Sequence, residues 1–408
     1  MSLNGSVYLS GAVRTPIGSF GGALLPLTAP QLGALAAREA LRRSGFAAEQ
    51  MQESIFGCAR QAGVGPNPGR QASHLAGLPD AVPAYTVNQA CASGLKAILL
   101  AARSALSGEA DLVLAGGMES MSRVPYLLSS ARFGARMGHQ ELTDGMVKDG
   151  FLCPLCGQIM GETAENLARA YGIARAEQDR YAAESQQRCE RARKRGLFRE
   201  EIVPVEVASA RGGPVRVESD EHPRDGVTAD SLARLTPVYG AGGTVTAGSA
   251  SGITDGAAAL VVSRARPAAA SGPVARLVGW ASVGVEPARM GIGPVPAIRK
   301  LLQAASLSLD DIDLVEINEA FAAQVLACQR ELRIDPARLN CNGGAIALGH
   351  PIGCSGARIV VTLIHEMARR KSRYGIAALC VSGGMGVAAL LESPTSTQEG
   401  ASSPAGDP

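Results

Sequence analysis

Four short segments of the chain carry side chains that could do chemistry. Cys91 follows the strand-like run Ala84-Tyr85-Thr86-Val87 and opens a helix, so its sulfur would meet the unpaired N–H groups of the helix start. That setting lowers a thiol pKa and favours thiolate. His350 lies inside the glycine-rich run Gly343-Gly344-Ala345-Ile346-Ala347-Leu348-Gly349-His350-Pro351-Ile352-Gly353. Such a loop lets backbone and imidazole approach a ligand closely, and the ring can act as a base or a hydrogen-bond donor. Cys380 ends the apolar run 376–379, ahead of the turn Ser382-Gly383-Gly384-Met385-Gly386. Asn318-Glu319-Ala320-Phe321-Ala322 ends another strand-like run, 314–317. Taken singly, a cysteine among small residues is more often a packing residue, and a lone histidine is structural or solvated.

These turns need strands and helices to hold them. Short Val/Leu/Ile/Ala runs alternate with longer helical patterns, and the chain has 49 glycines, a combination that predicts buried strands between helices in a layered α/β fold. A first core half is expected over residues 1–119, with a return at 249–270. It contains a strand at 7–10, a helix over 32–44, the run into Cys91, and a helix with Leu95, Ile98, Ala102 and Leu106 on one face. Gly108 closes that helix before a buried strand at 111–115. Residues 120–248 turn polar, with a helical stretch over 162–194, and read as an ordered insertion, a lid or a binding platform. After a strand at 257–263 the rhythm returns over 271–392, with a strand at 314–317 and a helix at 320–332 that aligns Phe321, Val325, Cys328 and Leu332. The repeated order of strand, turn and helix predicts a structural duplication. The tail, 393–408, is rich in Ser, Thr, Pro and Gly and is expected to be disordered.

Composition sets the outer limits. The chain has 408 residues, 46% of them hydrophobic and 19% charged, enough apolar material for a substantial core in two or three packed units. A net charge of +2 gives no field for nucleic acid, although local basic residues could hold a phosphorylated ligand. Nine scattered cysteines do not read as a disulfide framework, so a reducing compartment is expected. The N-terminus lacks a secretory pattern and no segment reads as a membrane span, which predicts a cytoplasmic protein with no membrane partner.

In combination, the motifs resemble the thiolase family over residues 7–392, in the order CxS, NEAF, GHP, CxG. They stand here as Cys91-Ala92-Ser93, Asn318-Glu319-Ala320-Phe321, Gly349-His350-Pro351 and Cys380-Val381-Ser382. The resemblance implies a layered α/β/α/β/α architecture with two duplicated core halves and an inserted coenzyme A-binding loop domain. It implies an acyltransferase, either an acetyl-CoA C-acetyltransferase, which is favoured, or a broader degradative 3-oxoacyl-CoA thiolase of fatty acid metabolism. A non-catalytic acyl-CoA-binding relative is the distant alternative. No cofactor is held permanently, and coenzyme A and acyl-CoA are substrate and product. A homodimer or homotetramer is expected.

The same resemblance assigns roles. Cys91 would take the acyl group after His350 removes its proton, and Cys380 would be the second acid/base. His350, with a water held by Asn318, would stabilise the enolate oxygen, and the N–H groups of Cys91 and Ser382 the tetrahedral intermediate. Glu319 would support this network. Arg224, Ser231 and Ser251 match coenzyme-binding positions, and Met160, Met290 and Phe321 the acyl pocket, although composition alone would make Arg224 a surface charge and the methionines filler. Two departures stand out. Ser382 replaces the usual glycine, and Ile159 replaces the histidine that many short-chain members carry before Met160-Gly161, which keeps longer acyl chains open. Cys153 and Cys156 form a CxxC with no second pair to complete a metal site, and read as incidental thiols.

Overall fold

Nine strands lie side by side in a computed structural model that describes residues 5–209, 212–240 and 242–394. The disorder expected of the tail falls, from residue 395 onward, outside the described residues. At the middle of the sheet the antiparallel strands Tyr8–Arg14 and Ala275–Gly284 meet over only two pairs, Tyr8 with Arg276 and Leu9 with Ala275. On one side of this seam the order runs Tyr8–Arg14, Thr254–Ser263, Leu112–Ser120, Glu53–Gly57, Ala84–Val87. On the other it runs Ala275–Gly284, Met385–Glu392, Tyr374–Val381, Leu314–Ile317, with Leu339 bridging Val315 in parallel beyond the last strand. Each half has two antiparallel pairings followed by two parallel ones, in the same chain order. The duplication is therefore one of pairing pattern.

The helix between the third and fourth strand of each half fills the central layer. Ser93–Ser107 and Ile352–Arg370 cross so closely that a Cβ on Gly94 would stand 2.7 Å from the Ala357 nitrogen, and one on Gly356 2.4 Å from the Leu95 nitrogen. Glycine at both positions is what permits the crossing. Leu95, Ile98, Ala102, Val360, Val361 and Ile364 pack there into one core between the two sheet halves. The outer layers are Ala29–Ser44, capped by Thr28 and packed on Val13, Ala259 and Val261, and Pro294–Ala305, packed on Ala281, Ala388 and Leu390. Five layers result.

Several sequence expectations shift. The helical stretch over 162–194 is two helices, Met160–Tyr171 and Arg175–Lys194, because Gly172 leaves the first in a left-handed conformation at φ 58°. The helix expected from Ala320 starts at Ala322, since Phe321 is extended. Residues Ala90–Ser107 are as apolar as a short membrane span, contrary to the expectation that no segment would be, but they are core: the helix is enclosed between the two halves. The strands Glu53–Gly57 and Ala275–Gly284 were not anticipated. Nor was the buried trio in which Arg14 meets Glu201 at 2.7 Å and Asp220 at 2.6 Å, tying the first strand to the polar segment.

Candidate active site

The crossing of the central helices brings their N-terminal turns together. Cys91 lies in the 3-10 turn Ala90–Ala92, just ahead of Ser93–Ser107, and Ala90 is held left-handed at φ 44°. That strained residue is pinned from both sides. Its N–H donates to Asn88 Oδ1 at 3.0 Å, and its carbonyl accepts from Ser93 Oγ at 2.7 Å while the same hydroxyl accepts the Gln89 N–H at 2.9 Å. Ser93 of the CxS motif thus holds the turn that presents the thiol.

Burial pushes the Cys91 thiol up, against the Arg60 guanidinium and the N–H groups of Ser382 and Cys91 that face the sulfur and pull it down. The thiolate expected from the helix start is overturned, because desolvation outweighs the donors. Cys91 is a thiol at rest and needs a base.

His350 is buried, and its tautomer follows from its neighbours. Ser355 Oγ, in the first turn of Ile352–Arg370, donates its only proton to the Pro351 carbonyl at 2.9 Å. It must accept from His350 Nδ1, 2.5 Å away. Nε2 is then the unprotonated nitrogen, and Asn318 Nδ2 stands 3.4 Å from it as a donor. Burial, then the positive charges of Arg358 and Arg60, push the imidazolium pKa down to about 3. The ring is neutral, with its lone pair available.

Cys380 ends the strand Tyr374–Val381, fully buried, and its thiol is pushed well up by burial and then by the neighbouring Cys91. It packs in one apolar cluster with Met160, Met290, Phe321, Ala320, Val245 and Cys153. Ser382 occupies a backbone conformation open to any side chain; the left-handed residues of its turn are Gly383 and Gly384, at φ 86° and 83°. Replacing glycine by serine there costs no strain and keeps the N–H that faces Cys91. Two thiols, a neutral imidazole and an amide converge, groups whose chemistry can supply a nucleophile, acid/base partners and hydrogen-bond donors.

Comparison with known proteins gives the family. Residues 7–266 match the family model "Thiolase, N-terminal domain", and residues 271–393 match "Thiolase, C-terminal domain". The chain belongs to the thiolase family. It is 51% identical over 387 residues to a Pseudomonas aeruginosa protein named acetyl-CoA acetyltransferase, covering 94% of this chain and 98% of that one. The crystal structure of the Bacillus anthracis acetyl-CoA acetyltransferase superposes with a TM-score of 0.93 at 45% identity, covering 97% and 100% of the two chains. Human mitochondrial 3-ketoacyl-CoA thiolase in complex with CoA superposes at 0.91 and 40% identity, covering 97% and 99%. This thiolase is an acyltransferase.

Other residues around the thiolase site were not singled out by sequence. The Glu119 carboxylate accepts from the N–H groups of Ala59 and Arg60, each at 3.1 Å, and of Gly353 at 2.9 Å, joining the loop after Glu53–Gly57 to the start of Ile352–Arg370. Arg60 is buried, its Nε has no partner among the described residues, and its charge reaches both Cys91 and His350. A single acidic residue near a strand end, or a single basic one in a loop, carries no motif, so neither Glu119 nor Arg60 had a signal. Glu319 accepts from Ser185 at 2.7 Å, Tyr181 at 2.9 Å, Asn340 at 3.1 Å and the Ile346 N–H at 3.1 Å. Its oxygens are fully engaged in holding the His350 loop.

The three positions matched to coenzyme binding are spread over the polar segment and its return. Arg224 and Ser231 are exposed, and Arg224 has no carboxylate partner among the described residues. Thr228 caps the short helix Ala229–Ala233, accepting the Ser231 N–H at 3.2 Å, and Ser231 Oγ accepts the Thr228 N–H at 3.1 Å in return. Ser251 is half-buried, its N–H donating to the Ala320 carbonyl at 3.0 Å. His222, whose imidazolium is pushed down by burial and then by Arg224, packs against Gly252, so the Arg224 loop lies beside Ser251. Cys153 and Cys156 are free cysteines, and Cys156 packs against the apolar cluster that holds Cys153 and Cys380.

Proposed function

We propose that this thiolase is an acetyl-CoA C-acetyltransferase working through an acyl group carried on Cys91. His350 Nε2 takes the Cys91 proton, the thiolate attacks the thioester carbonyl of acetyl-CoA, and coenzyme A leaves with a proton returned by the imidazole. Cys380, its own proton passed to the now neutral His350 imidazole, then removes a proton from the methyl group of a second acetyl-CoA, and the carbanion attacks the acyl-Cys91 carbonyl, forming the carbon–carbon bond and freeing Cys91 as a thiolate that the imidazolium reprotonates. Thiolysis of acetoacetyl-CoA is the reverse. The N–H groups of Cys91 and Ser382 stabilise the tetrahedral oxyanion, and His350 with Asn318 the enolate oxygen. Arg224, Ser231 and Ser251 hold coenzyme A.

The observation that carries this reading is the locked tautomer of His350, which leaves an unprotonated Nε2 beside Asn318 at a site where both thiols are protonated. A second reading, cleavage of longer 3-oxoacyl-CoA, is favoured by Ile159, an apolar residue immediately before Met160 of the pocket cluster. Thiolysis rates for acetoacetyl-CoA against a longer 3-oxoacyl-CoA, in wild type and in Cys91→Ala and Cys380→Ala, test both. Loss of turnover in both variants supports the two-thiol mechanism, and a higher rate on the longer substrate would replace the acetyl reading by the second.

Homo-oligomerisation, as a dimer or tetramer, belongs to the same reading. Phe133 and Met137 of the polar segment are 87% and 91% exposed, apolar surface that a second copy would cover. Light scattering on the full chain checks it, and a monomer at working concentration would refute it.

A further inference from the structure

Cys153 and Cys156 stand at the two ends of a closed turn between the short strands Leu152–Cys153 and Gln158–Ile159. The Gly157 N–H donates to the Cys153 carbonyl at 2.8 Å, with Gly157 left-handed at φ 69°, and Cys156 packs against the cluster that holds Cys153. The Cys153 sulfur also faces the N–H groups of Cys156 and Leu155 and, from a different element, that of Gly383. Gly383 directly follows Ser382, whose N–H faces Cys91. Leu155 lies over the same glycine, 3.7 Å from where its Cβ would stand. The turn that follows Cys380 is therefore in contact with the CxxC turn through Leu155 and Gly383, and Cys153 shares one apolar cluster with Cys380. Cys153 and Cys156 are both free cysteines.

We propose that Cys153 and Cys156 form an oxidisable dithiol, converted by a hydroperoxide to an intrachain disulfide, and that the turn Ser382-Gly383-Gly384 transmits this change to the acylation of Cys91. The effect on acylation rests on the function proposed above; the dithiol chemistry does not. The Cys153 thiolate attacks the terminal oxygen of the hydroperoxide, breaking the O–O bond and releasing an alcohol once that leaving oxygen takes up a proton, or water where hydrogen peroxide is the oxidant. The sulfur becomes a sulfenic acid. Cys156 then attacks that sulfur, the S–S bond forms as the S–O bond breaks, and hydroxide leaves with the Cys156 proton as water. Two electrons pass from the thiol pair to the peroxide.

The chemistry favours this pair over the other two thiols. Burial pushes Cys153 up, but the N–H groups of Cys156 and Leu155, the Cys156 thiol and the Gly383 N–H outweigh it and leave Cys153 below the usual thiol value. Cys156 is pushed up by burial and remains the protonated resolving partner. The thiols of Cys91 and Cys380 are pushed up by burial, and neither has a second cysteine three residues away on the same turn. Closing the disulfide tightens the turn that carries Leu155 over Gly383, and the aim of the neighbouring Ser382 N–H changes with it.

The test treats the reduced full chain with hydrogen peroxide, alkylates the remaining thiols and maps the peptides by mass. In parallel, the rate at which acetyl-CoA acylates Cys91 is followed before oxidation, after it, and after dithiothreitol. The expected result is a disulfide-linked 153–156 peptide, Cys91 and Cys380 still alkylatable, and acylation slowed by about tenfold and restored on reduction. Cys156→Ser is expected to keep the reduced rate and to show no reversible loss. A disulfide that leaves a working acylation unchanged, the same loss in Cys156→Ser, or no 153–156 disulfide overturns the inference alone. A reduced chain that never acylates Cys91 fails the proposed function and takes the control of acylation with it.

Discussion

The Ser355 hydroxyl accepts the Nδ1 proton of His350 at 2.5 Å and gives its own to the Pro351 carbonyl at 2.9 Å. This relay fixes which imidazole nitrogen is free. In Ser355→Ala the ring loses that lock, and kcat is expected to fall by about 10- to 100-fold with KM for acetyl-CoA little changed. Ser355→Thr, which keeps a hydroxyl, should recover part of the loss. Steady-state kinetics on the three proteins check this, and an unchanged kcat in the alanine variant would remove the relay from the mechanism.

Cys91 and Cys380 have separable tasks. Cys380→Ala should still form an acyl-Cys91 burst on mixing with acetyl-CoA, detectable by mass, while condensation falls by about 10²- to 10⁴-fold. Cys91→Ala should lose both. A missing burst in Cys380→Ala would mean that the second thiol acts already in acylation.

At residue 382 the backbone donor matters and the side chain does not. Ser382→Gly is expected to change the acylation rate by less than about threefold, whereas Ser382→Pro, which removes the N–H facing Cys91, should slow it by about 10²- to 10³-fold. Melting temperatures measured alongside separate a lost donor from a disturbed turn.

The helix crossing has no room for a methyl group. A Cβ on Gly356 would stand 2.4 Å from the Leu95 nitrogen, so Gly356→Ala must push apart the two helices whose starts carry Cys91 and His350. A stability loss of about 1–3 kcal/mol in denaturant titration is expected, with a fall in kcat beyond what the remaining folded fraction explains.

Glu316 provides a pH test. Burial, despite the nearby Arg358, pushes its carboxyl up from 4.5 to about 8. In this window the folded protein holds a proton that the unfolded chain has released, so this group's contribution to stability is present below pH 4.5 and is lost as pH rises to about 8. Glu316→Gln removes that loss. Relative to wild type, the variant should gain up to about 1.4 kcal/mol per pH unit across the window. Denaturation midpoints at several pH values measure the difference, and parallel curves would show that Glu316 ionises normally.

The sequence by itself determined which residues stand at strand ends and helix starts. Cys91, Asn318, His350 and Cys380 were legible because a buried strand, a glycine-rich turn and a helical apolar face are all written in local spacing. The strand at 314–317 and the helix at 93–107 follow from such patterns, and the repeat of strand, turn and helix pointed to the duplication.

Only the tertiary structure decided the charge states and the partners. The Cys91 thiol sits high because neighbours distant in sequence remove water, an effect larger than the helix start that local reading could see. The His350 tautomer depends on where Ser355 sends its proton, and the tie made by Glu119 depends on how the two halves dock. Cys153 and Cys156 look like incidental thiols until the turn at Gly383 is folded against them. Secondary structure is largely set by neighbours along the chain, whereas desolvation and hydrogen-bond pairing are set by neighbours in space, and those exist only after the two halves have packed.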